Sequence, residues 1–287
     1  MKETILITGA GPNGVTGRRI KEQIEKKGEY HVLAPSSKEL DLTDKGAVDK
    51  YFQERKIDYV IHCALVAPSR GHDTTDEAKE VEDNLRMYFN LASHSEDFKK
   101  MFYFGSGAEF DKSHDIVNAK EEDAIKIVPA DKYGFIKSIL NKHAINSKNI
   151  YNLRLFGTIN PFEPANKNVI SLLCDKALKN NPFDLNIDCL FSFVDIDDVI
   201  AFIEYAMKND LLHHDYNIVG ERKVYISFIA ELIKQISGSK KPIIFKNKTI
   251  GKEYTGSDER WLREFKTRTP ISDSIKKVYE HFQKNFL

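Results

Sequence analysis

The stretch Thr4-Ile5-Leu6-Ile7-Thr8-Gly9-Ala10-Gly11-Pro12-Asn13-Gly14-Val15-Thr16-Gly17-Arg18 decides the fold. Its first residues, Thr4–Thr8, form a short apolar run, the pattern of a buried strand. Glycines crowd the span that follows, and in Arg18–Lys27 the pair Ile20 and Ile24 falls on one face at helical spacing. A glycine-rich turn between a first strand and a first helix permits a tight bend, close approach of a pyrophosphate and close helix–strand packing. The helix N-terminus then faces the phosphates. Gly9, Gly11, Pro12, Asn13, Gly14, Val15, Thr16, Gly17 and Arg18 are therefore the candidate dinucleotide loop.

The alternation continues outward. His31–Ala34, Ile57–Ala64, Met101–Gly105, Ile150–Phe156 and Asp215–Val219 read as strands. Asp44–Glu54, Asp76–Ser95, Tyr133–Ser147 and Ile196–Lys208 read as helices between them. Strands alternating with helices imply right-handed crossovers and an α/β, Rossmann-type doubly wound parallel sheet. Two stretches break the rhythm. Residues 161–192 carry a helix near Val169–Lys179 and a turn at Asn180-Asn181-Pro182. Residues 221–287 carry a helix at Ile226–Ser237, a strand around Pro242–Phe245 and a final helix from Ser272. The expectation is a dinucleotide-binding domain from 1–160 plus 193–220, with a smaller C-terminal substrate lobe from 161–192 plus 221–287.

Composition narrows the class. Lys+Arg and Asp+Glu each number 43, so the zero net charge predicts neither a nucleic-acid nor a membrane partner. The three cysteines, Cys63, Cys174 and Cys189, make no CxxC pair, which leaves zinc and redox motifs without support and predicts free thiols in a reducing compartment. No apolar run has the length of a signal peptide or a membrane span, so a cytoplasmic protein is expected.

The second strand reads the dinucleotide's adenosine end. An acidic residue there would hold a ribose hydroxyl. Here the run is Ala34-Pro35-Ser36-Ser37-Lys38, with no acid, so Lys38 and the pair Arg18-Arg19 are candidates to meet a 2′-phosphate, and Ser36 is a further candidate cofactor contact. NADP(H) is the expected cofactor and NAD(H) the alternative.

Tyr133-Gly134-Phe135-Ile136-Lys137 sets a tyrosine and a lysine four apart on one helical face. A free tyrosine, with a pKa of about 10, is a poor base at neutral pH. A neighbouring ammonium favours the phenolate, so the tyrosine can exchange a proton with a carbonyl or alcohol during hydride transfer. Ser106 follows the strand Met101–Gly105, at the end of a parallel sheet where ligands bind, and is placed to hydrogen-bond the reacting oxygen.

With Thr8-Gly9, Gly14, Gly17, Ser106, Tyr133 and Lys137 in this order, the chain resembles the extended short-chain dehydrogenase/reductases over nearly its whole length. The family pattern is a glycine-rich turn after the first strand, a serine or threonine after a central strand, and Tyr-x-x-x-Lys on the next helix. By that resemblance Asp41 and Leu42 contact adenine, and Cys63, Ala64, Leu65 and Phe156 lie along the cofactor. Asn84 matches the family's helix asparagine, and Asn168 becomes a candidate substrate contact. The segment Ser36–Leu42 looks most like GDP-fucose synthases and dTDP-4-dehydrorhamnose reductases, which implies NADPH-dependent reduction of a nucleotide-linked 4-keto-6-deoxy sugar and a homodimer. A sugar-nucleotide 4-epimerase that retains NAD, and a dinucleotide-sensing regulator, are the other readings.

The departures count as well. Two extra residues stand between Gly9 and Gly14. Gly107 and Ala108 follow Ser106, where dehydratases carry Asp-Glu. No cysteine lies in Gly105–Phe110 and no histidine in Gly157–Asn168, the pair with which fucose synthases epimerise. Leu190-Phe191-Ser192-Phe193 lacks the arginine that holds a diphosphate in many relatives, leaving Lys167, Lys176 and Arg260 as substitutes. Glu121-Glu122-Asp123 reads as a solvated acidic loop or a helix start, and His213-His214 diverge too much for a metal site. Arg70 and His72, on a polar loop, are further candidates to touch substrate.

Overall fold

The computed structural model describes residues 2–67, 76–165 and 167–285. In chain order β1 (Thr4–Thr8) leads to α1 (Val15–Lys27), β2 (His31–Leu33) to α2 (Lys45–Gln53), and β3 (Tyr59–His62) to α3 (Glu77–Ala92). β4 (Lys100–Ser106) runs into a 3-10 turn (Gly107–Phe110), followed by β5 (Ile116–Ala119) and α4 (Glu121–Ala124). Next come α5 (Lys132–Ala144), β6 (Ile150–Leu155), β7 (Gly157–Ile159), α6 (Val169–Leu178), β8 (Phe183–Leu185), β9 (Leu190–Asp195), α7 (Ile196–Lys208) and β10 (Asp215–Ile218). The tail holds β11 (Lys223–Tyr225), α8 (Ile226–Ser237), β12 (Ile243–Phe245), β13 (Tyr254–Gly256), α9 (Glu259–Glu264) and α10 (Ile271–Asn285).

The chain divides into two compact units. The first takes in 1–111, 121–154 and 200–216; the second takes in 112–120, 155–199 and 217–287. In the first, a six-stranded sheet has the order β10-β6-β4-β3-β1-β2, with β1 parallel to β2 and β3, and β3 parallel to β4. The apolar runs explain the layering. Leu6, Val60, Met101 and Tyr103 point to one face and pack with Val48 and Phe52 of α2, Tyr88 and Leu91 of α3, and Ile136 and Leu140 of α5. On the other face the Tyr59 hydroxyl donates to the Met207 carbonyl of α7 at 3.1 Å. Helices on both faces make the sheet doubly wound.

In the second unit β9 is paired by β11, β13 and β7, and β5 extends the sheet beyond β13; β8 and β12 form a separate parallel pair. Ile170 and Leu173 of α6, Ile229 and Ile233 of α8, and Ile275 and Val278 of α10 form its apolar core. The Ser274 hydroxyl and the Lys277 ammonium donate to Asp195 at 2.7 and 3.1 Å, which ties α10 to the end of β9. Among the described residues no helix is long and apolar enough to cross a membrane.

Candidate active site

α1 begins at Val15, earlier than the isoleucine spacing indicates, because the Gly14 N–H closes a turn onto the Gly11 carbonyl at 2.8 Å. Three glycines of the loop are fixed by backbone contact. A Cβ on Gly9 would stand 2.7 Å from the Ala64 nitrogen, one on Gly14 1.9 Å from the Gly9 oxygen, and one on Gly17 2.6 Å from that same oxygen. Gly9 also has φ +65°, in the left-handed region. Gly11 differs: a Cβ there would meet nothing within 4 Å. Helices α2, α3, α5 and α6 are capped by the side chains of Asp44, Asp76, Asp131 and Asn168. α1 is capped by Gly14 without a side-chain hydrogen bond and has no acidic residue in its first turn. An open glycine before a helix N-terminus that carries neither a side-chain cap nor a first-turn acid fits a pyrophosphate.

Where the sequence predicts the adenosine end, Lys38 is exposed and Arg18 is half-buried, its Nη1 3.5 Å from the Pro12 carbonyl. Ser36 is engaged: its N–H and its hydroxyl both donate to Glu39 Oε2 at 2.8 Å. Those two bonds hold the Glu39 carboxyl below its ordinary range. The side chain of Asp41 turns back on Thr43, accepting from its N–H at 2.9 Å and its hydroxyl at 2.7 Å, while Leu42 is buried in the core.

The ends of β1 and β3 are joined by Thr8. Its Oγ1 accepts from the Cys63 and Ala64 N–H groups at 3.1 and 3.2 Å, and so donates its own proton to His62 Nδ1 at 2.9 Å. Burial, with Lys137 adding to it, holds the His62 pKa down at about 3, so this imidazole is neutral. Burial also pushes the Cys63 thiol upward. Leu65 is half-buried on the same loop, and Asn84 commits its amide to the Val66 N–H and carbonyl and to the Glu80 carbonyl. Arg70 and His72 lie outside the described residues.

Two close approaches hold α5, which carries Tyr133 and Lys137, against the end of β4 and the turn that follows Ser106. Asp131 caps α5 by accepting from the Gly134 N–H at 3.0 Å. A Cβ on Gly134 would stand 2.4 Å from the Ala108 carbonyl, so its glycine lets α5 press onto the turn after Ser106. Ile136, Leu140 and Ala144 bury one face of α5, which turns Lys137 toward β4. The Lys137 ammonium, buried, donates to the Phe104 carbonyl at 2.7 Å and lies 5.7 Å from the centre of the Tyr133 ring. Burial brings its pKa down to about 8, against the upward pull of Glu109 and Cys63.

Ser106 opens the 3-10 turn with a reciprocal cap. Its Oγ accepts from the Ala108 N–H at 3.2 Å, and its N–H donates to Glu109 Oε1 at 3.0 Å. Glu109 is fully buried, and Arg154 Nε donates to its Oε2 at 2.8 Å. Arg154, also fully buried, reaches Asp215 at 3.3 Å as well. Glu109 belongs to none of the motifs that mark Ser106, Tyr133 and Lys137 in the sequence. The signal was present as Ser-x-x-Glu, the spacing of a capping box. Glu121 is likewise buried at the start of α4 rather than solvated, whereas Glu122 is exposed.

In the second unit, Phe156 packs edge-on against Tyr254 with centroids 5.2 Å apart. Asn168 spends its amide at home: Oδ1 accepts from the Ile170 N–H at 2.8 Å and Nδ2 donates to the Thr158 carbonyl at 3.1 Å. Lys176 is tied to the Pro182 carbonyl and Asp184, while Lys167 is exposed and Arg260 half-buried at the start of α9. Of these three, Lys167 is the one that stands out in solvent.

The family model described as the NAD dependent epimerase/dehydratase family matches residues 5–219. GDP-L-colitose synthase of Yersinia pseudotuberculosis is 24% identical over 97% of this chain and 97% of its own length. A GDP-mannoheptose C4 reductase from Campylobacter jejuni, solved with NADP bound, superposes with a TM-score of 0.83 at 21% identity, covering 98% of both chains. A GDP-L-fucose synthetase from Naegleria fowleri, also bound to NADP, gives a TM-score of 0.83 at 21% identity, covering 100% of this chain and 96% of that one.

Proposed function

Because the chain belongs to the NAD dependent epimerase/dehydratase family, as an enzyme of the extended short-chain dehydrogenase/reductase type, we propose that it reduces the keto group of a nucleotide-linked 4-keto-6-deoxy sugar with NADPH. The carrying observation is the fixed Lys137, bonded to the Phe104 carbonyl and facing the Tyr133 ring on a helix that Gly134 seats against the Ser106 turn. The relatives solved with NADP, a reductase and a fucose synthetase, support the cofactor and the substrate class. Residues 1–160 plus 193–220 hold the dinucleotide in this reading, and 161–192 plus 221–287 the nucleotide sugar.

The dinucleotide, when bound, supplies the hydride. The loop Gly9–Arg18 holds its pyrophosphate at the N-terminus of α1, and Arg18 and Lys38 meet the 2′-phosphate. Ser106 donates a hydrogen bond to the substrate carbonyl oxygen and holds it beside Tyr133. Tyr133 gives its phenolic proton to that oxygen as the carbon is reduced, so the ketone becomes an alcohol. Lys137 keeps its positive charge next to the phenolate left on Tyr133 and favours it. Nothing in this scheme eliminates water, in keeping with Gly107 and Ala108 standing where a dehydratase carries acids.

We further propose a homodimer joined through α3 and α5, where Phe89 and Phe135 are exposed large apolar side chains. The reaction is tested by offering NADPH with a panel of 4-keto sugar nucleotides and following loss of the reduced cofactor. Consumption with one member supports the reading; consumption with none discards it. NAD retained through purification, with interconversion of two epimers, would replace it by a 4-epimerase.

A further inference from the structure

We propose that Glu109 is a positioning residue of this site: its buried carboxylate fixes the Ser106 turn and keeps a negative charge near Lys137. The inference rests on the roles given above to Ser106, Tyr133 and Lys137.

Three observations converge on it. The first is reach. Glu109 Oε1 accepts the Ser106 N–H at 3.0 Å, so the backbone that carries the serine hydroxyl is held by this side chain. Gly105 makes that reach available, since a Cβ there would stand 2.4 Å from Glu109 Oε1 and 2.1 Å from Asn152 Oδ1. The second is restraint. Arg154 donates to Oε2 through Nε at 2.8 Å and pairs through Nη2 at 2.7 Å, and Asn152 Nδ2 lies 3.3 Å from both carboxylate oxygens. A carboxylate gripped on this many sides has one available position, and the Ser106 turn inherits it.

The third is charge. Glu109, Arg154 and Asp215 form a buried group of two acids and one base. With both acids ionised the group holds more negative than positive charge, and a buried charge favours a partner. Lys137 is the buried cation on the facing helix. The groups that act on it are Glu109 from the 3-10 turn and Cys63 from the end of β3, with Tyr133 on its own helix; His62 beside Cys63 is neutral. Glu109 is the strongest of those that hold the ammonium protonated. Burial pushes the Glu109 carboxyl itself upward, and Arg154 and the Ser106 N–H work against that.

The test uses two variants of the full chain. Glu109→Gln keeps an acceptor for Ser106 but removes the charge. Asp215→Asn removes the other carboxylate from Arg154 and leaves Glu109, with its bond to the Ser106 N–H, in place. Competitive labelling of the cofactor-free protein with acetic anhydride, across a pH series and read by mass spectrometry of the Lys137 peptide, gives the midpoint for that lysine. Expected is a midpoint at least about one pH unit lower in Glu109→Gln, and one near wild type in Asp215→Asn. In turnover with NADPH, the alkaline limb of the Glu109→Gln profile should move the same way, with kcat down at least about tenfold. A Glu109→Gln midpoint and limb that superpose on wild type overturn the inference, and so does an Asp215→Asn shift of equal size. Should Glu109→Gln fail to fold, Glu109→Asp keeps the charge and loses the reach. It should lose kcat with little change at Lys137, and unchanged kcat would overturn the positioning role. A wild type that consumes NADPH with no 4-keto sugar nucleotide defeats the proposed reaction, while the labelling result still decides whether Glu109 acts on Lys137.

Discussion

Replacing Tyr133 by phenylalanine takes away one oxygen and keeps the ring that Lys137 faces. The proposed reaction needs that oxygen as its proton donor. Tyr133→Phe should therefore lower kcat about 100- to 10,000-fold, with NADPH affinity by fluorescence titration near wild type. Undiminished turnover would take Tyr133 out of the reaction. Glu39 makes the opposite kind of prediction. Its carboxylate sits on both donors of Ser36, two residues before Lys38, which is expected to meet a 2′-phosphate. Removing a like charge this exposed should strengthen binding by about fivefold at most. Glu39→Gln should tighten NADPH by that order and leave NADH unchanged in the same titration. Equal effects on both would locate the 2′-phosphate away from Ser36.

At the scale of one element, the loop and α1 separate two uses of glycine. Gly14→Ala forces a Cβ into the Gly9 carbonyl, so the loop must open and the melting temperature should fall by several degrees. Gly11→Ala points its methyl into open space, so its melting temperature should match wild type while dinucleotide affinity drops. Thermal melts with and without NADPH distinguish the two; a Gly11→Ala protein that binds as well as wild type would remove Gly11 from the cofactor site. Both glycines were visible as letters, but the division of labour was not, because it depends on where the Gly9 and Gly11 carbonyls point. The same limit runs through the fold. Strands β1, β3, β4 and β6 and the helices between them were legible because their apolar residues recur at strand or helix spacing. β7, β8, β11 and β13 are three-residue strands, and each exists because a partner distant in sequence pairs with it, such as Gly157 with Phe193 or Tyr254 with Ile116. Ser106, Tyr133 and Lys137 were legible by their order along the chain. Arg154 and Asp215, joined across the ends of two strands, had no local signature.

For the whole molecule, His62 predicts how stability follows pH. Its ordinary value is 6.5 and its folded value is about 3. Below about pH 6.5 the unfolded chain takes up a proton that the folded protein refuses, so stability falls as pH drops toward 3 and is unaffected by this group above 6.5. The slope from one such group is at most about 1.4 kcal/mol per pH unit. Urea midpoints collected between about pH 5 and 7 should show that slope in wild type and a slope smaller by about one proton in His62→Gln; parallel curves would mean that His62 titrates normally when folded. The exposed Phe135 bears on assembly, and Phe135→Glu should yield a monomer by sedimentation if α5 is the dimer face. A last consequence concerns descent. Gly105, Glu109 and Asn152 occupy one another's space, since a methyl at 105 would collide with both of the other side chains. The dependence runs one way: with Glu109 and Asn152 in place, an alanine at 105 is accommodated only if the ends of both side chains give way. Relatives that carry alanine at 105 should therefore carry a shorter or displaced side chain at 109 or 152.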